Sequence, residues 1–178
     1  MRPIKQLAFF WGISEATFFF IVPDVLLTYI AINNPKKAFQ LMITTLIGAV
    51  VGGVIIMGLG HVFYEQLSEA MIHIPAISKP MVASVDVTVM NQPVIGMIKG
   101  AFMGIPYKLF ALSYGNHGVS MSVFIVASLV ARTLRFSLTI IVAGIISNIL
   151  RKIGVLKIKY IHSLFWVLFY GWYFFIMS

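Results

Sequence analysis

From Ala38 to Tyr64 the chain carries not one Asp, Glu, Lys or Arg. A helix of ~20 apolar residues crosses the hydrocarbon core of a bilayer, so this run is long enough to do so. The rest of the sequence is built the same way. Hydrophobic residues make up 60% of the 178 and charged residues 10%, whereas a soluble domain is about half apolar and a quarter charged. Five acidic residues are too few to clothe a globule. The excess apolar surface has to face lipid, and the expected class is a small polytopic membrane protein.

A net charge of +8 invites a nucleic-acid reading, but its distribution argues against one. Arg2, Lys5, Lys36, Lys37, Arg151, Lys152, Lys157 and Lys159 flank apolar runs, the footprint of loops retained in the cytoplasm. Glu15 interrupts the first apolar run and no small-residue cleavage site follows, so that run is expected to stay in the mature chain. With no cysteine, disulfides and thiolate metal sites are out of reach. The four histidines lack metal-ligand spacing. No nucleophilic triad, phosphate loop or dinucleotide fingerprint occurs, so neither an enzyme nor a cofactor is expected.

The chain is expected to form a single transmembrane domain over 1–178. Residues 7–32 are apolar but broken by Glu15, Pro23 and Asp24; 39–63 form a clean span; 64–92 form an amphipathic segment and loop. Residues 94–115 are broken by Pro106 and Lys108, 119–150 form a long span holding Arg132 and Arg135, and 160–178 an aromatic-rich span. Ile21 to Leu27 and Gly104 to Phe110 each place a proline mid-run, then a polar group, then apolar residues. Paired interrupted segments point to an inverted repeat. If both are hairpins that enter and leave on one side, the eight flanking bases share the cytoplasmic side and Lys79 alone lies opposite; if both span, the ratio worsens. The positive-inside rule leans towards two hairpins.

Glu15, Asp24, Lys108, Arg132 and Arg135 sit inside apolar stretches. Each costs roughly 2.5–3.5 kcal/mol at the bilayer centre, so they are expected to face one another, a watery gap or a ligand. Ser128, Arg132, Arg135 and Thr139 fall on one helical face. Turned inward, such a stripe can cradle a phosphate, because guanidinium binds its oxygens bidentately. Pro23 and Pro106 suit the start of a half-helix, whose N-terminal end attracts anions. The residues thus assign Lys108, Arg132, Arg135 and Ser128 to substrate binding, and Glu15 and Asp24 to proton coupling: protonating one acid would loosen its pairing and free a base. The charges call for an anionic, phosphate-type ligand and for protons as partners, with room for a homo-oligomer and no role for nucleic acid; that the anion is a membrane-lipid headgroup is what the family resemblance below implies. Two other readings fit the same charges: a proton-coupled antiporter for small cations or drugs, and a non-transport assembly or structural factor.

Ser14-Glu15, Pro23-Asp24-Val25-Leu26-Leu27, Gly104-Ile105-Pro106-Tyr107-Lys108-Leu109-Phe110 and Ala131-Arg132 to Arg135-Phe136 resemble, in that order, the DedA superfamily. This is the VTT-domain group of SNARE-associated Golgi proteins, and the pattern is most similar to its YqaA-like branch. The resemblance implies two opposed re-entrant hairpins packed between transmembrane helices, a bacterial inner membrane, and translocation of phospholipid or polyprenyl-phosphate lipids with proton coupling. It maps Glu15 and Asp24 onto the hairpin acids, Lys108 onto a basic residue of the second hairpin, and Arg132 and Arg135 onto the arginines that follow it. The chain departs from the broader pattern in lacking a glycine between Pro23 and Asp24, and in placing Met103 where an arginine is expected.

Overall fold

Both expected breaks fall where the local chemistry stops a helix and starts another. The computed structural model describes residues 2–74 and 76–177. Pro75, in the expected 64–92 segment, and Ser178, at the end of the expected last span, lie outside the described residues. Among the described residues there are eight helices and no strand: α1 (Arg2–Thr17), α2 (Asp24–Ala31), α3 (Pro35–Ile72), α4 (Lys79–Asn91), α5 (Pro93–Met103), α6 (Tyr107–Asn116), α7 (Met121–Lys152) and α8 (Ile158–Met177). The all-helical class is as expected. Two of the helices, α3 and α7, are long and apolar enough to cross a membrane.

The first break separates α1 from α2. Pro23 caps α2, its carbonyl accepting from Leu27 N at 3.1 Å, and Asp24 places a carboxylate at the positive end of the helix. The second break separates α5 from α6. Gly104 closes α5 with φ +79° while Ile105 N donates back to Gly100 O at 3.0 Å, a left-handed turn that a side chain would strain. Pro106 then caps α6, its carbonyl accepting from Leu109 N at 3.1 Å.

Helix α3 is the spine. It opens at Pro35 with the Asn34 side chain accepting from Lys37 N at 2.9 Å, an N-cap followed by proline in the first turn. It runs on past Phe63, where the backbone leaves helical geometry (φ −123°, ψ 33°) and the helix kinks. The stretch expected to be amphipathic segment and loop is thus the end of α3, a turn, and the 13-residue α4.

Each break has its own core against the spine. Leu27 and Ala31 of α2 pack with Ala38, Leu41, Met42 and Leu46 of α3 and with Phe136 and Ile140 of α7. Phe110, Leu112 and Tyr114 of α6 pack with Ile56 and Met57 of α3, Met97 of α5 and Phe124 of α7. Backbones touch where α1 and α6 meet α3. A Cβ on Gly48 would fall 2.1 Å from Phe9 O, and one on Gly115 would fall 2.0 Å from Met57 O. Small residues at both contacts let the helices approach closely, so the two broken segments are drawn onto one helix and their breaks brought together.

Candidate functional site

The stripe on α7 meets a partner at every position. Arg132 Nη2 lies 2.7 Å from Glu15 Oε2 of α1, both side chains being buried. One turn along, Arg135 Nη2 donates to Asp24 Oδ2 at 3.1 Å and Thr139 Oγ1 donates to Asp24 Oδ1 at 3.0 Å. The first broken segment is thereby fastened to α7 by two acid–base pairs. The Arg132 guanidinium also stacks over Tyr107, its carbon 3.8 Å from the ring centre, an attraction of about 0.5–2 kcal/mol. Its Nε has no hydrogen-bond partner among the described residues.

Lys108 behaves differently. It is only 2% exposed, yet among the described residues no carboxylate lies within 4 Å of it. Its Nζ donates to the main-chain carbonyl of Phe19 at 2.8 Å. That carbonyl belongs to the first break, where helix hydrogen bonds stop. Buried backbone groups outside regular helix must find other partners. Two more side chains serve the same stretch: Trp11 Nε1 donates to Ile21 O at 2.9 Å, and Val22 N donates to the Tyr170 hydroxyl of α8 at 3.0 Å. The break is held open by side chains from α1, α6 and α8.

Between the two breaks lies a cavity of about 230 Å³. Glu15, Lys108 and Arg135 supply its charge, Phe19 and Pro106 its two broken backbones, and Trp166 and Tyr170 an aromatic wall from α8. Arg132 lines a smaller adjoining hollow of about 20 Å³ with Arg135 and Tyr107, room for one water. Around this centre stand three bases and two acids. Ser128 is fully buried and is not among the residues lining either space: its hydroxyl accepts from Tyr107 at 2.9 Å and approaches Met97 Sδ at 3.7 Å. Pro23 and Pro106 stand at the starts of α2 and α6, and Pro106 also lines the larger cavity.

The contributions of Tyr107, Tyr170, Trp11 and Trp166 were not visible in the sequence. Tyr107 neighbours Lys108, which is a local cue; the others come from folding distant elements together. The sequence also gave no sign of a second polar cluster. Asp86, expected in a loop, lies on α4 and accepts from Ser113 of α6 at 2.5 Å and from the Tyr64 hydroxyl just past the α3 kink. His117 Nε2 stands 3.4 Å from the same carboxylate. No group of three or more acidic or histidine side chains suited to a metal occurs among the described residues.

Compared with known proteins, the chain matches no protein-family model and no solved structure. It is 28% identical, over 137 residues, to an uncharacterised protein of Haemophilus influenzae; the match covers 75% of this chain and 70% of that one.

Proposed function

We propose that the chain is a polytopic membrane protein of the cell membrane, that its two broken segments are re-entrant hairpins, and that it moves a phosphate-bearing lipid between leaflets. Helix lengths support the second hairpin. At 1.5 Å per residue, α5 and α6, with 11 and 10 residues, each reach only ~15–17 Å, about half of the ~30 Å hydrocarbon thickness. Exposure supports the membrane. Only 28% of the apolar window of α7 is buried, and Ile43, Ile47, Val51, Ile55 and Leu59 form an exposed apolar stripe on α3. Exposed apolar faces of this extent mark a membrane or partner surface, and a chain with 10% charged residues favours the membrane.

One observation carries the substrate class: Lys108 is buried beside the cavity with no carboxylate of its own. The centre therefore holds one positive charge more than its acids neutralise, and that excess, together with the Arg135 fork, suits a phosphate. A cation substrate would meet the wrong sign. The cavity has room for a phosphate headgroup with a few waters and none for acyl or prenyl chains, which would stay in lipid. In this reading Glu15 and Asp24 hold Arg132 and Arg135 until protonation of one acid releases its partner to the headgroup. The resemblance to the DedA superfamily points to the same class of cargo and the bacterial inner membrane.

The reading is tested in proteoliposomes containing a headgroup-labelled phospholipid, with transfer across the bilayer measured for the wild type and for Arg135→Gln, whose side chain is partly exposed. A severalfold loss in folded protein is expected. Undiminished transfer by the variant, or none by the wild type, would overturn it.

A further inference from the structure

A second basic site lies where α2 and α7 end and α8 begins, away from the paired charges. Here a hollow of about 410 Å³ is bounded by Asn33, Arg151, Val155, Lys157, Ile158 and Lys159. Three of its walls are cationic, and Lys152 is the next residue after Arg151. None of these four bases has a carboxylate within 4 Å among the described residues, and the sequence holds no Asp or Glu after Asp86. The charge is concentrated and unneutralised.

The bases are also held in place. Arg151 Nη2 donates to Ile32 O and to Asn33 Oδ1, each at 2.6 Å, which caps the end of α2 and fixes the guanidinium at the rim. Lys159 Nζ lies 4.8 Å from the centre of the Tyr29 ring, a contact that orients the ammonium. Lys157 is exposed and lines the hollow. Ile158 and Lys159 open α8, so the positive end of a 20-residue helix faces the same hollow. Beside the cations the loop shows bare apolar side chains: Leu156 is 95% exposed and Ile153 69%. Cations that only mark loop orientation need neither a hollow nor an apolar rim.

We infer that this hollow binds the phosphodiester headgroup of an anionic membrane lipid, with Lys157 and Lys159 on the phosphate and Leu156 and Ile153 among the first carbons of its chains. Basic pockets at the ends of membrane helices hold such headgroups, and juxtamembrane lysines and arginines attract anionic lipid. The inference rests on the reading of the chain as a membrane protein, but the site stands apart from the central cavity, so it does not rest on lipid transport.

The test is native mass spectrometry of the full chain in detergent, titrated with phosphatidylglycerol or with phosphatidylcholine of the same acyl chains. The wild type should retain the anionic lipid about tenfold more strongly. Lys157→Gln with Lys159→Gln should remove most of that preference, and Lys157→Gln alone, which keeps the Lys159–Tyr29 contact, should remove part of it. Lys36→Gln with Lys37→Gln, an equal charge change outside the hollow, should leave it intact, and all variants should melt like the wild type. Equal retention of the two lipids would overturn the proposal, as would an unchanged preference in the Lys157/Lys159 variant or its loss in the Lys36/Lys37 variant. Displacement of phosphatidylglycerol by millimolar inorganic phosphate would also overturn it, by assigning the hollow to a free anion.

Discussion

Lys108 Nζ, on α6, donates to the Phe19 carbonyl at 2.8 Å, so the second broken segment closes a gap in the backbone of the first. One side chain thereby serves both segments, and its loss should show in two ways. In Lys108→Met the partly buried carbonyl of Phe19 loses its donor, at up to about 1–3 kcal/mol, and the excess positive charge of the cavity disappears. We expect a lower melting temperature in detergent together with loss of phospholipid transfer. Lys108→Gln, with a shorter neutral donor, should recover part of the stability and little of the transfer. If Lys108→Met melts and transports like the wild type, neither role holds.

The Arg132–Glu15 pair is buried on both sides. Removing one partner strands a buried charge, which costs about 3–5 kcal/mol, whereas removing both together is far milder. Arg132→Met and Glu15→Gln should therefore each destabilise strongly, while the double variant should lie closer to the wild type than either. Thermal unfolding of the four proteins checks this. Additive losses would mean that the two side chains do not act as a pair.

The helix breaks were legible because proline and charged residues interrupt apolar runs, a local signal. The charged centre was legible as an imbalance: five ionisable groups in lipid-like surroundings need partners, and the i, i+3 spacing of Arg132 and Arg135 assigns them one face. Which acid meets which arginine was not legible, because it depends on how far α1 slides along α3, and contacts such as Gly48 against Phe9 set that distance. Ser128 illustrates the limit. It shares the stripe by periodicity, yet Tyr107 takes its hydroxyl, and periodicity carries no information about a neighbour on another helix. Tyr170, 148 residues from its partner Val22, left no local trace at all.

Asp86 joins three elements, accepting from Ser113 on α6 and from Tyr64 beside the α3 kink, with His117 near the same carboxylate. Asp86→Ala leaves two partly buried donors unmatched, at about 1–3 kcal/mol for each that stays unsatisfied. It should destabilise the α4–α6 contact and raise amide hydrogen exchange over residues 79–91 and 107–117. Asp86→Asn retains an acceptor and should do so less. Because the cluster lies outside the central cavity, neither variant should change which headgroup is preferred. A switch in preference would join this cluster to the substrate path.

The most severe single-atom changes should be those where another helix lies against the spine. At Gly115 an added methyl would sit 2.0 Å from Met57 O and 2.9 Å from His61 N, and both obstacles are backbone, so no side chain can swing aside. Overpacking of this kind costs typically ~1–3 kcal/mol even where side chains yield, and here α6 must move away from α3. Since α6 carries Lys108, such a shift would also pull its ammonium from Phe19. Gly58, on α3 itself, meets nothing within 4 Å of an added Cβ, and alanine is favoured over glycine by about 1 kcal/mol within helices. Gly58→Ala should therefore melt at or above the wild-type temperature with unchanged transfer, while Gly115→Ala should melt well below it and lose transfer with its fold. Equal tolerance of both would mean that α3 and α6 do not touch through their backbones, and the proposed meeting of the two breaks would lose its support.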